Sequence, residues 1–109
     1  MNNDLTQTAL DNEKAMYEEA VERGKKLIKL YDNKEFKELI LEDYLKDKAL
    51  QAVGLLAHPA ISANPEASHR TLSELKAIST LQQYFISIER DAGEAMDNIE
   101  TLIQEAEEE

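Results

Sequence analysis

The sequence predicts an all-α protein, a bundle of three or four helices built around a long C-terminal helix. Only three glycines and two prolines occur among 109 residues, which leaves few positions for the tight turns that strands need. The abundant residues are Ala, Leu, Glu, Lys, Ile and Asp, which are mostly good helix formers. Because 42% of the residues are apolar, the chain can fill a core. We expect one domain over 1–109, with 1–7 and 105–109 frayed.

The first helix is expected over roughly residues 8–31. Asp4 is a candidate cap ahead of it, with Gln7 three residues later. Apolar and small residues then follow the spacing of one helix face, namely Leu10, Tyr17, Ala20, Val21, Gly24, Leu27, Ile28 and Tyr31. Gly24 is either a point of close approach by another helix, which we favour, or a weak position that costs about 1 kcal/mol relative to alanine.

The next segment is expected to be helical up to Ala57. Asn33 can cap a helix that contains Phe36, Leu39 and Ile40. Residues 41–44 are ambiguous, because the helix can continue or Asp43 can begin a new one. The helix should stop near Ala57, because His58 precedes Pro59 and the residue before a proline disfavours the α conformation. Residues 58–65 are the one segment that the sequence predicts as a loop.

The long C-terminal helix has two candidate starts. Asn64 followed by Pro65 and Glu66 provides a cap, a proline at the first helical position and an acid in the first turn. The alternative is a capping box in which Thr71 is the cap and Glu74 reaches back to it. Nothing but Gly93 interrupts the pattern after that, so we expect a helix of about 35–40 residues.

The strongest pattern in the sequence is an apolar seam along this helix, with residues spaced alternately three and four apart. It consists of Ile78, Leu81, Phe85, Ile88, Ala92, Ala95, Ile99, Leu102 and Ala106. Such heptad spacing is typical of helix–helix interfaces, so we predict an interface over Ile78–Leu102. Met96 and Ile103 widen it on one flank and Tyr84 on the other. The seam either packs on the first helix, antiparallel, which we favour, or its distal part projects to meet another protein.

The chain is acidic, with 12 basic and 23 acidic residues and a net charge of −11. Such a charge argues against direct binding to nucleic acid, since that affinity comes from Lys and Arg at phosphates. Nine acids and one base, Arg90, lie in residues 89–109. This segment is either a solvated tail or a docking surface for a basic partner. The surface would comprise Glu89, Asp91, Glu94, Asp97 and Glu100, and Lys25, Lys26 and Lys29 offer counter-charges.

The residues offer little for catalysis or metal binding, and we expect no enzymatic activity, metal or cofactor. The chain has no cysteine, so it has neither a thiol nucleophile nor a Cys-ligated zinc site. His58 is expected to hydrogen-bond the last carbonyls of its helix. Glu66 and His69 match the spacing of a di-iron motif, but only once. No apolar run is long enough to span a membrane, and no secretory signal opens the sequence.

Two runs resemble a family of small helical proteins encoded among the virion-assembly genes of tailed bacteriophages. The first run is FKELILEDYLKDKALQAVGLLAHP, from Phe36 to Pro59. The second begins with LKAISTLQQYFISI at Leu75 and continues through the acidic end. The resemblance covers most of residues 20–105. Members of that family often carry glycine where this chain has Asp43, which implies a helix break there, with Asp43 left-handed or acting as a cap. The family supplies no catalytic residues.

These observations lead to one expected function and two alternatives. We expect a non-enzymatic phage structural or assembly-associated protein that acts through helix–helix association, either with itself or with a basic phage or host protein. It would reside in the cytoplasm of the infected host or with the virion. One alternative is an acidic inhibitor that imitates DNA, with Asp91, Glu94, Asp97 and Glu100 standing for phosphates. The other is a helical adaptor unrelated to phage.

Overall fold

A computed structural model confirms the all-α class and the long C-terminal helix. The structure describes residues 2–108, and their side chains from residue 6 onward, and that part of the chain contains no strand. The elements are α1 (Asn2–Asp32), α2 (Lys34–Phe36), a π-helical segment (Lys37–Lys48), α3 (Ala49–Ala57), α4 (Pro59–Ser62) and α5 (Pro65–Glu108). At 44 residues, α5 is longer than the sequence predicted.

The chain divides into two compact units. The first unit combines residues 1–28 with residues 86–109, and the second comprises residues 29–85. Both α1 and α5 contribute to each unit. Fraying at 1–7 and 105–109 stays a prediction, and Met1 and Glu109 lie outside the described residues.

The start of α1 differs from the prediction, whereas its end agrees with it. The helix begins at Asn2, so Asp4 lies inside it and is not its cap. Local side-chain pairs support these early turns, since the Gln7 side-chain amide donates to the Asp11 carboxylate at 3.0 Å. Asn33 ends the helix and caps the next one, because its Oδ1 accepts from the Phe36 backbone N–H at 2.8 Å. The predicted role of Asn33 is therefore confirmed.

The ambiguous stretch around Asp43 is continuous helix with wider turns. No non-glycine residue in the described chain has a positive φ, so the left-handed conformation implied at Asp43 is wrong, and no helix starts there. The less exposed residues of this stretch are spaced four or five apart, namely Phe36, Ile40, Leu41, Tyr44, Leu45 and Ala49. Hydrogen bonds from i to i+5 bring such residues onto one side, whereas the narrower α-helical turn would rotate them apart.

The predicted loop at 58–65 contains a short helix. α3 ends at Ala57 as expected, and His58 is extended (φ −76°, ψ 130°). Pro59 then opens the single turn of α4, and the His58 Nδ1 accepts from the Ala60 backbone N–H at 3.1 Å. His58 thus caps the following helix, and the prediction that it binds the last carbonyls of α3 is wrong. Its extended backbone directs the side chain forward along the chain, and a neutral ring nitrogen can accept from a free helical N–H.

The start of α5 decides between the two candidate caps. The Asn64 Oδ1 accepts from the backbone N–H groups of Glu66 at 3.1 Å and Ala67 at 3.2 Å. Thr71 is buried in the helix interior, where its hydroxyl donates to the Ala67 carbonyl at 2.9 Å. The alternative start at Thr71 is therefore wrong. A hydroxyl that bonds the carbonyl four residues earlier is satisfied without a helix end.

Removal of the Asn64 cap gives a direct prediction. We expect Asn64→Ala to lower the free energy of unfolding by about 1 kcal/mol, because two free N–H groups lose their acceptor. Chemical denaturation followed by circular dichroism measures it. Asn98→Ala is the matched control: Asn98 is exposed inside the same helix, and its replacement should change stability by only a few tenths of a kcal/mol, in the stabilising direction. Equal effects for the two variants would contradict the assigned cap.

The core of the second unit contains an aromatic cluster and further buried apolar residues. Tyr31, Phe36 and Phe85 form a cluster with ring centroids 5.8–6.3 Å apart, and Phe85 meets each of the other two edge to face. Ala52 and Ile78 are buried in the same unit. The apolar seam of α5 therefore contributes its first residues to the core of this unit.

Candidate protein-interaction surface

The first unit is built on a close contact between α1 and α5. A Cβ placed on Gly24 would lie 2.6 Å from the Cβ of Ala92, closer than two carbon atoms can approach without displacement. The two backbones therefore meet where one residue has no side chain and the other has a single methyl group. The predicted close approach at Gly24 is confirmed.

The seam of α5 packs on α1 in this unit, in antiparallel orientation. Leu27, Ile88 and Ala95 are buried, and Ile99 and Leu102 are half-buried. Ala106 is exposed, although it continues the seam pattern.

The distal part of the seam also has α1 beside it. Leu10 and Lys14 line one concave site together with Ile99, Leu102 and Ala106. Because α1 has 31 residues instead of the expected 24 or so, this part of the seam does not project beyond the unit.

The remaining seam residues belong to the second unit, where Ile78 and Phe85 are buried and Leu81 is half-buried. The seam residues from Ile78 to Leu102 thus form the least exposed side of α5. An interface of these residues with another protein stays a prediction. The large apolar side chains of α5 that remain exposed lie beside the seam, not in it.

An apolar groove runs along one flank of the α1–α5 pair. We define it by eight residues: Val21, Gly24, Ile28, Ala92, Gly93, Met96, Ile99 and Ile103. It consists of two adjoining concave stretches of about 460 and 440 Å³, both lined by Val21 and Met96. Ile28 is 62% exposed, Met96 60% and Ile103 51%. Large apolar side chains that stand together in solvent mark a binding surface more often than a solvated one.

The sequence contains a pattern that indicates this groove, and it consists of residues outside the seam. Val21 and Ile28 are seven residues apart on α1, and Met96 and Ile103 are seven apart on α5. A residue and its seventh neighbour lie almost above each other on a helix. Val21, Ile28 and Gly93 were not among the predicted interface residues, because the stripe on α1 does not distinguish its packed side from its flank.

The two edges of the groove differ in charge. Lys25 lines the α1 edge of the groove, and Lys14 and Asp11 line the adjoining concave site beside Leu10. Glu89 and Glu100 belong to the α5 edge. The two lysines pair with Glu22 at 3.2 Å and Glu18 at 3.9 Å on their own helix, and all four side chains are more than half exposed. Such surface pairs contribute little, about 0–1 kcal/mol each, so they can rearrange when a partner binds.

The acidic charge of the protein is concentrated in the first unit. Fifteen acidic and five basic residues belong to it, against eight and seven in the second unit. The five residues of the predicted acidic surface are all exposed. Asp91 lies 3.6 Å from the Arg90 guanidinium.

These carboxylates do not form a straight row. Asp91, Glu94, Asp97 and Glu100 are three residues apart, and each step of three residues falls about 60° short of a full helical turn. The four side chains therefore wind about halfway round α5. They therefore form a charged exterior on more than one side of α5.

The described residues include no cluster of side chains that fits a metal ion. Within residues 2–108 no group of three His, Cys, Asp or Glu side chains could hold a metal ion. The pKa of Tyr17 is raised, because its hydroxyl donates a 2.7 Å hydrogen bond to the exposed Glu13 carboxylate. In the same part of the chain, no helix is both long enough and apolar enough to cross a bilayer.

The second unit also leaves apolar side chains of α3 exposed. Leu50, Val53 and Leu55 are exposed there. No Asp, Glu, Lys or Arg occurs in residues 49–65. Within α3 itself, no charged side chain lies among these residues.

The fold and this site together define the class, an all-α protein with an exposed apolar groove between two helices. Comparison with protein-family models, with curated proteins and with solved structures finds no match to this chain. The resemblance of residues 20–105 to the phage family stays a prediction.

Proposed function

We propose that this protein is a non-enzymatic structural or assembly-associated protein of a tailed bacteriophage, and that it works through helix–helix association. It would act in the cytoplasm of the infected cell or with the virion. The observation that carries the proposal is the apolar groove, in which Ile28, Met96 and Ile103 are each at least half exposed. An uncovered groove between two packed helices is a site that a third helix can fill.

The acidic exterior of α5 supports this function in a secondary way. Nine acids on residues 89–109 favour a partner that presents basic side chains to α5. The DNA-like alternative needs negative charge over a whole face of the protein, whereas the second unit is almost balanced, with eight acids and seven bases.

The test is complementation of a phage from which the gene has been deleted. We expect fewer infectious particles and incomplete virions by electron microscopy, with full recovery when the wild-type protein is supplied from a plasmid. Met96→Asp should fail to restore the particles, because it places a carboxylate in the groove. Normal yield without the gene would contradict the proposed function.

Met16→Asp is the matched control for that experiment. Met16 is a methionine of α1 in the same unit, is 70% exposed and does not line the groove. It should restore the particles fully. If both aspartate variants restore them, the protein does not act through the groove.

A further inference from the structure

We infer that the partner of the groove is a second copy of this chain, and that two copies form a two-fold symmetric four-helix bundle from their first units. This inference rests on the proposed function only in taking the groove to be a binding surface. It follows from the distribution of charge along the two edges of the groove.

Two symmetric arrangements can close one groove against another. If the two-fold axis lies perpendicular to the helices, α1 meets α1 of the other copy and α5 meets α5. If the axis runs parallel to the helices, each α1 lies beside α5 of the other copy, in antiparallel orientation.

The charges favour the axis parallel to the helices. In the perpendicular arrangement, two acidic α5 segments would lie side by side, each with nine acids and one base over residues 89–109. In the parallel arrangement, the lysines of one α1 edge face the acidic α5 edge of the other copy. Opposite edges of the same groove are then complementary, as a self-associating surface requires.

The contact between α1 and α5 sets the level at which these groups meet. Gly24 lies opposite Ala92, and the helices are antiparallel, so positions whose numbers add to about 116 are level with each other. Lys14 is therefore close in height to Glu100. A two-fold axis along the helices leaves each residue at the same position along that axis. Lys14 of one copy is therefore level with Glu100 of the other copy, and Val21 is level with Met96.

The apolar side chains complete the interface. In the dimer, each copy covers the side chains of Ile28, Met96 and Ile103 of the other copy. In a single chain each of these side chains is at least half exposed. The net charge of each first unit still opposes association, since it holds ten more acids than bases. Salt should therefore strengthen the dimer, because it screens the repulsion and leaves the apolar contact intact.

Light scattering on a sizing column tests this directly. We expect twice the 12.4 kDa of one chain, in a dimer that tightens when salt rises from about 0.1 M to about 1 M, where the Debye length falls from about 10 Å to about 3 Å. Met96→Asp should weaken the dimer about 100-fold, because the change occurs twice in each interface. Met16→Asp should leave the dimer unchanged.

Three results would overturn the inference. They are a mass of one chain at all protein concentrations and both salt levels, a dimer that dissociates in high salt, and a dimer that Met96→Asp does not weaken. The last result would indicate association elsewhere, such as at α3. Thermal unfolding of Met96→Asp at low concentration checks that the monomer still folds, since Met96 is exposed in it. The protein can fail to dimerise although the wild-type protein restores the phage and Met96→Asp does not. In that case the proposed function stands, and only the second copy is excluded as the partner.

Discussion

Ile88→Asp is expected to abolish the folded state. Ile88 is 8% exposed in the seam of α5, where the first unit packs α1 against it. A carboxylate at this position loses its hydration and gains no partner, which costs several kcal/mol against a total stability of about 5–15 kcal/mol for a typical domain. Circular dichroism during heating measures the loss of helical structure.

The same substitution two residues earlier is the control. Ile86 lies on the same helix and in the same unit, but it is 42% exposed. Ile86→Asp should change the free energy of unfolding by about 0.5 kcal/mol or less, as most surface substitutions do. If Ile88→Asp leaves the unfolding temperature unchanged, the heptad register assigned to α5 is wrong.

Gly24→Ala is expected to destabilise the protein although alanine is the better helix former. The added methyl would lie 2.6 Å from the Cβ of Ala92, and both atoms are fixed to helical backbone. The helices must move apart, which typically costs about 1–3 kcal/mol and exceeds the gain of about 1 kcal/mol in helix propensity. Chemical denaturation gives the difference in the free energy of unfolding.

Two further variants identify the cause. The exchange Gly24→Ala with Ala92→Gly keeps one methyl group in the contact, so it should restore most of the lost stability. Gly93→Ala should stabilise the protein by about 0.5–1 kcal/mol, because nothing beyond its chain neighbours and its own helical backbone lies within 4 Å of the added Cβ. If the exchange variant is no more stable than Gly24→Ala alone, the close contact does not limit the packing of α1 on α5.

The sequence was sufficient where a structural feature depends on neighbours along the chain. The cap at Asn33 needs only a side-chain oxygen placed before free N–H groups. The end of α3 at Ala57 follows from Pro59 two residues later. The seam of α5 is a property of spacing alone, so the buried side of this helix and most of its buried residues could be predicted before any contact was known.

The tertiary structure was needed where local preferences are balanced. Thr71 can cap a helix or bond within one, and the choice depended on whether Asn64 had already begun α5. The wide turns around Asp43 follow the burial of side chains four and five residues apart, which α-helical periodicity does not indicate.

The candidate site shows the same division. The sequence by itself determined an acidic all-α protein with an apolar seam and a glycine on the facing stripe. Only the structure decided that α1 covers the distal seam, and that Ile28, Met96 and Ile103 remain outside the contact. The physical reason is that spacing defines one side of a helix, whereas the width of the covered strip depends on how closely the partner helix approaches, and that distance is set between Gly24 and Ala92.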